Sequence, residues 1–309
     1  MSIKKLLKNT SLAVLLTAIT ICSSIQPAFA GETLTVGSYS TKNLKTGIEI
    51  TNNIPKLTNN KEYLSTEGIS TTTSAQVKVP SSIHTDAVFD GDDRYQVTET
   101  TAKPYSAICY LEAAFPNGET MAGTAWVTDD DVAVTAGHCI YDKTRGGWAK
   151  TVTIWPGRNG NSTPYGSVTS KTLTVNTQWK KNSDRDYDYG VIKLNSKIGL
   201  KCDELGYAGS ADKYLDANNK LYIAGYPNVN KYHQKMYEAN GYADDHDSDT
   251  ISYKIDTEDG QSGSPIMVMR PKNGYVVVGI HTNHDDTQNH GVKVTDAMSD
   301  IIDEVVNAK

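Results

Sequence analysis

The chain has 309 residues, enough for one sizeable domain or two small ones, and a net charge of −6, which argues against a nucleic-acid binder because such proteins carry a basic footprint. Tyrosine is frequent at 18 residues while phenylalanine numbers only 3, and with 24 glycines the composition suits a β-rich extracellular protein. Four cysteines are too few for a disulfide-dense scaffold, so a hydrophobic core has to supply the stability.

The first 30 residues predict a secretory signal. Lys4, Lys5 and Lys8 give a positive start, Leu12 to Cys22 forms an apolar run, and Ala28-Phe29-Ala30 offers the small residues a signal peptidase needs. The run is short for a membrane helix, and no basic stop-transfer cluster follows it. Lipid attachment at Cys22 is disfavoured by the bulky Ile21 before it. The expectation is a secreted protein without stable membrane association. Removing the signal leaves Cys109, Cys139 and Cys202, an odd number, so at least one thiol is free or pairs outside the chain.

Residues 31–86 differ in texture. They are rich in Thr, Ser, Asn and Lys, and Thr58 to Lys61 and Ser70 to Ser74 show no hydrophobic periodicity. Such a segment is predicted to bury too little apolar surface to offset its ordering entropy. Between a signal and a globular domain it reads as a propeptide, with a permanent N-terminal arm as the alternative. The globular domain is then 87–309.

From Val88 onward short β-rich runs alternate with turn residues. The runs are Tyr105–Phe115, Thr124–Val127, Val132–Thr135, Val152–Trp155, Tyr189–Leu194, Leu221–Tyr226, Thr250–Ile255, Pro265–Met269 and Tyr275–His281. About a dozen short strands without strand–helix alternation predict an all-β sandwich or barrel. One helix closes the chain, capped by Thr295 or Asp296, with Met298, Ile301, Ile302, Val305 and Val306 at helical spacing.

Three segments carry chemistry. In Asp259-Gly260-Gln261-Ser262-Gly263-Ser264-Pro265 glycines flank a serine, which suits a nucleophile on a tight turn, with the amides of Gly260 and Ser262 as an oxyanion hole. In Val134-Thr135-Ala136-Gly137-His138-Cys139 a strand ends in small residues before His138, a candidate general base. In Asp186-Tyr187-Asp188-Tyr189-Gly190 an acid precedes an apolar strand, and Asp188 is chosen to orient the imidazole. Each signal is weak alone. Together they run His, Asp, Ser, the order of chymotrypsin-like enzymes and not that of subtilisins or α/β-hydrolases. A zinc site from His281, His284, Asp285 and His290 matches no common spacing, and the acidic run Asp244, Asp245, His246, Asp247 and Asp249 lacks the full calcium-loop pattern, so it reads as a solvated turn.

On these motifs, and on Asp90-Gly91-Asp92-Asp93-Arg94, Trp155-Pro156-Gly157-Arg158-Asn159-Gly160, Gly225-Tyr226-Pro227 and His281-Thr282-Asn283, residues 87–309 resemble the secreted bacterial glutamyl endopeptidases, a chymotrypsin-like branch. The resemblance implies two six-stranded antiparallel β-barrels with a C-terminal α-helix, and a monomeric serine endopeptidase acting through an acyl-enzyme. It needs no metal or cofactor; its partners are protein or peptide substrates and an activating protease. It implies that Thr257 and His281, with the freed amino group of Ala87, receive a substrate carboxylate. Asp256, six residues before Ser262, offers the competing expectation of cleavage after Lys or Arg, and a non-enzymatic binding protein of the same fold is the alternative class. The branch often pairs the cysteine after its histidine with one on the preceding strand. Met121 stands about where that partner is expected, leaving Cys139 free or paired with Cys109.

Overall fold

A computed structural model describes residues 35–55, 88–89, 91–216, 218–229, 232–271 and 274–308. The signal reading of 1–30, residues 31–34 and 56–86 of the propeptide reading, and Ala87 lie outside the described residues. In chain order the strands of the N-terminal half are β1 (Thr35–Asn43), β2 (Glu49–Pro55), β3 (Tyr95–Gln96), β4 (Ile108–Ala114), β5 (Thr120–Asp129), β6 (Val132–Thr135), β7 (Tyr141–Asp142), β8 (Gly147–Trp148), β9 (Thr151–Pro156), β10 (Val168–Asn176) and β11 (Gly190–Leu194). Those of the C-terminal half are β12 (Leu221–Gly225), β13 (Tyr237–Gly241), β14 (Ala243–His246), β15 (Thr250–Tyr253), β16 (Pro265–Arg270), β17 (Gly274–His284) and β18 (Asn289–Lys293). A short helix α1 (Thr177–Asn182) follows β10, and α2 (Asp296–Asn307) ends the described chain.

All strand pairs are antiparallel. Strands β4, β5, β6, β11, β10 and β9 pair in a ring and close a six-stranded barrel, so this half of the expected fold is present. The second sheet runs β14-β15-β18-β17-β16-β12-β13-β3 and stays open among the described residues, a half-barrel. Closure removes the exposed edges of the first sheet. Its strands read as buried runs; β11 is buried along all five residues. That includes Lys193, which pairs with Asp131 at 2.9 Å and donates to the carbonyls of Val305 and Val306 at the C-terminal end of α2, where the helix dipole favours a cation. Thr295 caps α2 by accepting from the Met298 amide, and Met298, Ile301, Ile302 and Val305 face the core, as the spacing predicts.

The segment 31–86 departs from expectation in its first part. Residues 35–55 form the β1–β2 hairpin, and β1 adds to the barrel alongside β10 from Thr172 to Asn176. β9 pairs β10 only at Val168 and Thr169, so the backbone groups beyond are free to take another strand. Tyr39 and Ile54 are buried, at 7% and 2% exposure, and both strands touch α2. The apolar content is low, but main-chain pairing to an available edge supplies what periodicity did not advertise.

Candidate active site

The register of β6 against β11 builds the first part of the site. Thr135 lies opposite Gly190, so the residues just past the end of β6 and just before β11 share one end of the barrel. The turn Gly137–Cys139 carries His138 there, and the turn Arg185–Tyr187 delivers Asp188. His138 Nδ1 lies 2.8 Å from Asp188 Oδ2, and the His138 amide donates to Asp188 Oδ1 at 2.8 Å. Asp188 is fully buried. Burial works against an imidazolium at His138, but the Asp188 carboxylate outweighs it and holds the pKa well above the ordinary histidine value. The two-point contact fixes the ring so that Nε2 is left to act as a base. Trp179 of α1 packs beside the imidazole, 6.3 Å between ring centroids.

The 258–264 loop is bound to the first barrel through Thr124 of β5. The Thr124 amide donates to Ser262 O at 2.9 Å, its hydroxyl donates to Gly260 O at 2.9 Å, and the same hydroxyl accepts from the Tyr226 amide at 3.0 Å. Nothing in the sequence marked Thr124, since an internal strand threonine reads as packing. Two glycines are required by space as well as by φ. Gly260 has φ +94° and an added Cβ would meet Tyr226 O at 2.5 Å; Gly263 has φ +91° and a Cβ would meet Thr124 O at 2.0 Å. Asp259 O accepts from the Asn228 amide at 2.6 Å. Because C=O and N–H of a trans peptide point oppositely, this bond aims the Gly260 amide away from Asn228. Among the described residues neither the Gly260 nor the Ser262 amide donates to a backbone carbonyl outside helices and strands. The loop meets the His138 turn at Cys139, whose Sγ lies 3.7 Å from Ser262 O.

β17 lies against the same loop. Gly263 N donates to His281 O at 2.8 Å, and His281 N donates to Ser264 O at 2.9 Å. His281 is only 4% exposed, and burial, with smaller contributions from His284, His138 and His290, lowers its pKa to about 3. The imidazole is neutral at ordinary pH. Its Nδ1 lies 2.7 Å from the hydroxyl of buried Tyr253, whose own pKa burial pushes well above the ordinary value, so the phenol keeps its proton. A protonated Tyr253 donating to Nδ1 places the ring proton on Nε2, and the imidazole also makes a hydrogen bond with the His290 backbone. Thr257 is buried, at 1% exposure.

Asp256, the residue of the competing expectation, is occupied. Its Oδ1 accepts from the Phe89 amide at 2.7 Å and its Oδ2 from the Asp93 amide at 2.9 Å, and it is 2% exposed. Both oxygens therefore serve the segment that follows Ala87, the residue outside the described set. The metal-like spacings are used locally: His290 Nε2 lies 2.9 Å from Asp285 Oδ2, and Asp247 Oδ1 accepts from the Asp249 and Thr250 amides in a turn.

Cys109, Cys139 and Cys202 are all buried free thiols. The expected partner position of Cys139 needs correction. A Cβ built on Gly123, not Met121, lies 3.0 Å from Cys139 Sγ. The strand alternates faces, so the two-residue offset keeps the face and misplaces the depth. Gly123→Cys is expected to form a disulfide with Cys139, closing a loop of about 15 residues and stabilising the protein by about 3 kcal/mol against urea. Titration should then find two free thiols, Cys109 and Cys202, in the denatured mature variant; four would exclude the pairing.

Residues 94–301 match the Trypsin family. The chain is 33% identical over 239 residues to a glutamyl endopeptidase of Bacillus licheniformis, covering 75% of this chain and 71% of that protein. It is 32% identical over 210 residues to a protein of Bacillus subtilis named an extracellular metalloprotease, covering 68% of this chain and 66% of the relative. Among the described residues no three His, Cys, Asp or Glu side chains are grouped to hold a metal ion. A glutamyl endopeptidase of Staphylococcus aureus is 26% identical over 203 residues, 64% of this chain and 57% of its own. Among solved structures, a Glu endopeptidase in complex with MPD superposes with TM-score 0.64 at 24% identity, over 72% of this chain and all of that one. The protease Anisep of Arthrobacter nicotinovorans follows with TM-score 0.56 at 18% identity, over 67% and 99%.

Proposed function

The chain belongs to the trypsin family of serine endopeptidases, and within it we propose an enzyme that cleaves after glutamate through an acyl-enzyme at Ser262. It acts on protein or peptide substrates. In the proposed mechanism His138 takes the proton of the Ser262 hydroxyl as that oxygen attacks the scissile carbonyl. Asp188 stabilises the imidazolium, and the Gly260 and Ser262 amides receive the oxyanion. His138 then gives the proton to the leaving amine, and water repeats the sequence to release the acid product.

The observation that carries the glutamate reading is the buried, neutral His281, its ring proton on Nε2, on the strand bonded to the Ser262 loop, while Asp256 is spent on two backbone amides. A neutral imidazole N–H and the Thr257 hydroxyl can both donate to a carboxylate, which would be costly to bury without donors. A lysine or arginine side chain would find no free carboxylate at Asp256. The relatives named glutamyl endopeptidases agree with this reading. Asp256, the residue before Thr257, also holds Phe89 and Asp93; on this reading a new amino group at Ala87 would add a cation for the substrate carboxylate. Secretion with a signal of 1–30 and removal of a propeptide 31–86 by an activating protease complete the proposal.

Profiling the secreted protein against a peptide library tests it. Cleavage is expected predominantly after Glu, with Asp a poorer second, and N-terminal sequencing should read from Ala87 or within about two residues. Cleavage mainly after Lys or Arg would refute the glutamate reading while leaving the serine mechanism intact.

A further inference from the structure

The Arg94 side chain is 1% exposed, and each of its three guanidinium nitrogens has a partner. Nε donates to Asp92 Oδ1 at 2.8 Å and Nη2 to Asp92 Oδ2 at 3.0 Å. Nη2 also pairs with Glu258 Oε2 at 2.8 Å and reaches the Tyr232 hydroxyl at 2.9 Å. Nη1 donates to Gln261 Oε1 at 3.2 Å, and the plane lies over the Tyr232 ring at 5.3 Å. A cation so buried persists only when fully paired. Although burial opposes the charge, the hydrogen bond to Asp92 and the field of Glu258 keep its pKa above the ordinary arginine value.

The placement matters because Glu258 and Gln261 are the two ends of one turn, closed by the Gln261 amide donating to Glu258 O at 2.9 Å. Gln261 is fully buried and lies between the two amides assigned to the oxyanion. The directions of those amides depend on the peptide planes on either side of Gly260 and of Gln261. A planar fork that grips the side chains at both ends of the turn restrains both planes, and lysine, a point charge, would restrain them less. Arg94 lies in the chain whether or not the bond before Ala87 is cut.

We propose that Arg94 is a positioning residue for the oxyanion hole, acting through Glu258 and Gln261, and that it assembles the hole before the propeptide is removed. The proposal rests on the reading of Ser262 as nucleophile. Propeptide removal then adds substrate-carboxylate recognition to a site already formed.

Two measurements separate this from its premise. The first is the rate at which a small fluorophosphonate labels Ser262 in the uncut full chain and in the cut protein. The second is kcat and KM on a Glu peptide for the wild type, Arg94→Lys and Arg94→Met. Labelling of the uncut chain is expected within about tenfold of the cut protein. Arg94→Met is expected to lower kcat by about 10²–10³-fold, the scale of losing an oxyanion donor, with KM changed less than about threefold. Arg94→Lys should recover part of kcat. Where Arg94→Met fails to fold, Gln261→Met, which leaves Arg94 its carboxylates, should show the same kcat loss. A folded Arg94→Met with near-normal kcat, a normal Gln261→Met, a loss confined to KM, or an uncut chain inert to the reagent while the cut one reacts would each overturn the inference. No labelling of Ser262 in the cut wild type would instead sink the nucleophile reading.

Discussion

Ser262→Ala is expected to leave a folded protein whose kcat on a Glu peptide is lower by about 10⁶-fold, with residual rate from binding and the oxyanion amides alone. The substitution removes one oxygen and changes no backbone bond. Ser262 O stays bonded to the Thr124 amide, and Gly263 N to His281 O. Unfolding by urea should therefore match the wild type, and a purified mutant with activity within tenfold of normal would exclude Ser262 as nucleophile. Asp188→Asn probes the same chemistry through pH. The base must be neutral to accept the serine proton, so kcat/KM falls as pH drops through the His138 pKa. The Asp188 carboxylate is what raises that pKa against burial. Removing the charge is expected to move the acid limb to lower pH while the plateau drops by about 10⁴-fold, because the carboxamide can favour the wrong tautomer. A plateau loss with the acid limb unmoved would place the pH dependence on another group.

How much of this was legible in the sequence depends on the range of the interaction. The glycine-flanked serine, the small residues before His138 and the acid before β11 are local signals, and the structure brings His138 and Asp188 together as their order implies. The strands that read well are those with apolar runs, such as β6, β11 and β16. β10 carries no legible apolar run, because its buried face holds Ser170, Thr174 and Asn176, polar side chains whose burial is supported by partners distant in sequence or by caps. The β1–β2 hairpin is illegible for the same reason: it is held by pairing to β10 and by only a few buried side chains. Thr124 and Arg94 serve the site through contacts spanning 102 to 167 residues, and no local pattern encodes those. Gly123 shows the opposite case, since the missing side chain opposite Cys139 was readable in kind but misplaced by two residues.

His281→Ala is expected to reduce kcat/KM on Glu peptides by about 10²–10⁴-fold while changing a matched Gln peptide by less than about threefold. The magnitude follows from what a buried site built to donate hydrogen bonds loses when a donor disappears. On the proposed reading, a substrate carboxylate that reaches His281, itself 4% exposed, leaves most of its water behind and needs replacement donors. His281 offers Nε2–H because Tyr253 engages Nδ1 at 2.7 Å. The neutral amide of Gln requires far less of that donor, so it serves as the internal control. The mutation also deprives the Tyr253 hydroxyl of its partner and weakens the fold, but a folding defect lowers the active fraction for both substrates equally and cancels in their ratio. Tyr253→Phe gives a second arm. It leaves the imidazole in place but frees its tautomer, so Nε2 carries the proton only part of the time, and the Glu-to-Gln ratio should fall by a smaller factor than in His281→Ala. Equal losses on Glu and Gln peptides in His281→Ala would make the histidine a structural residue of β17, and the carboxylate would then have to be received by other groups.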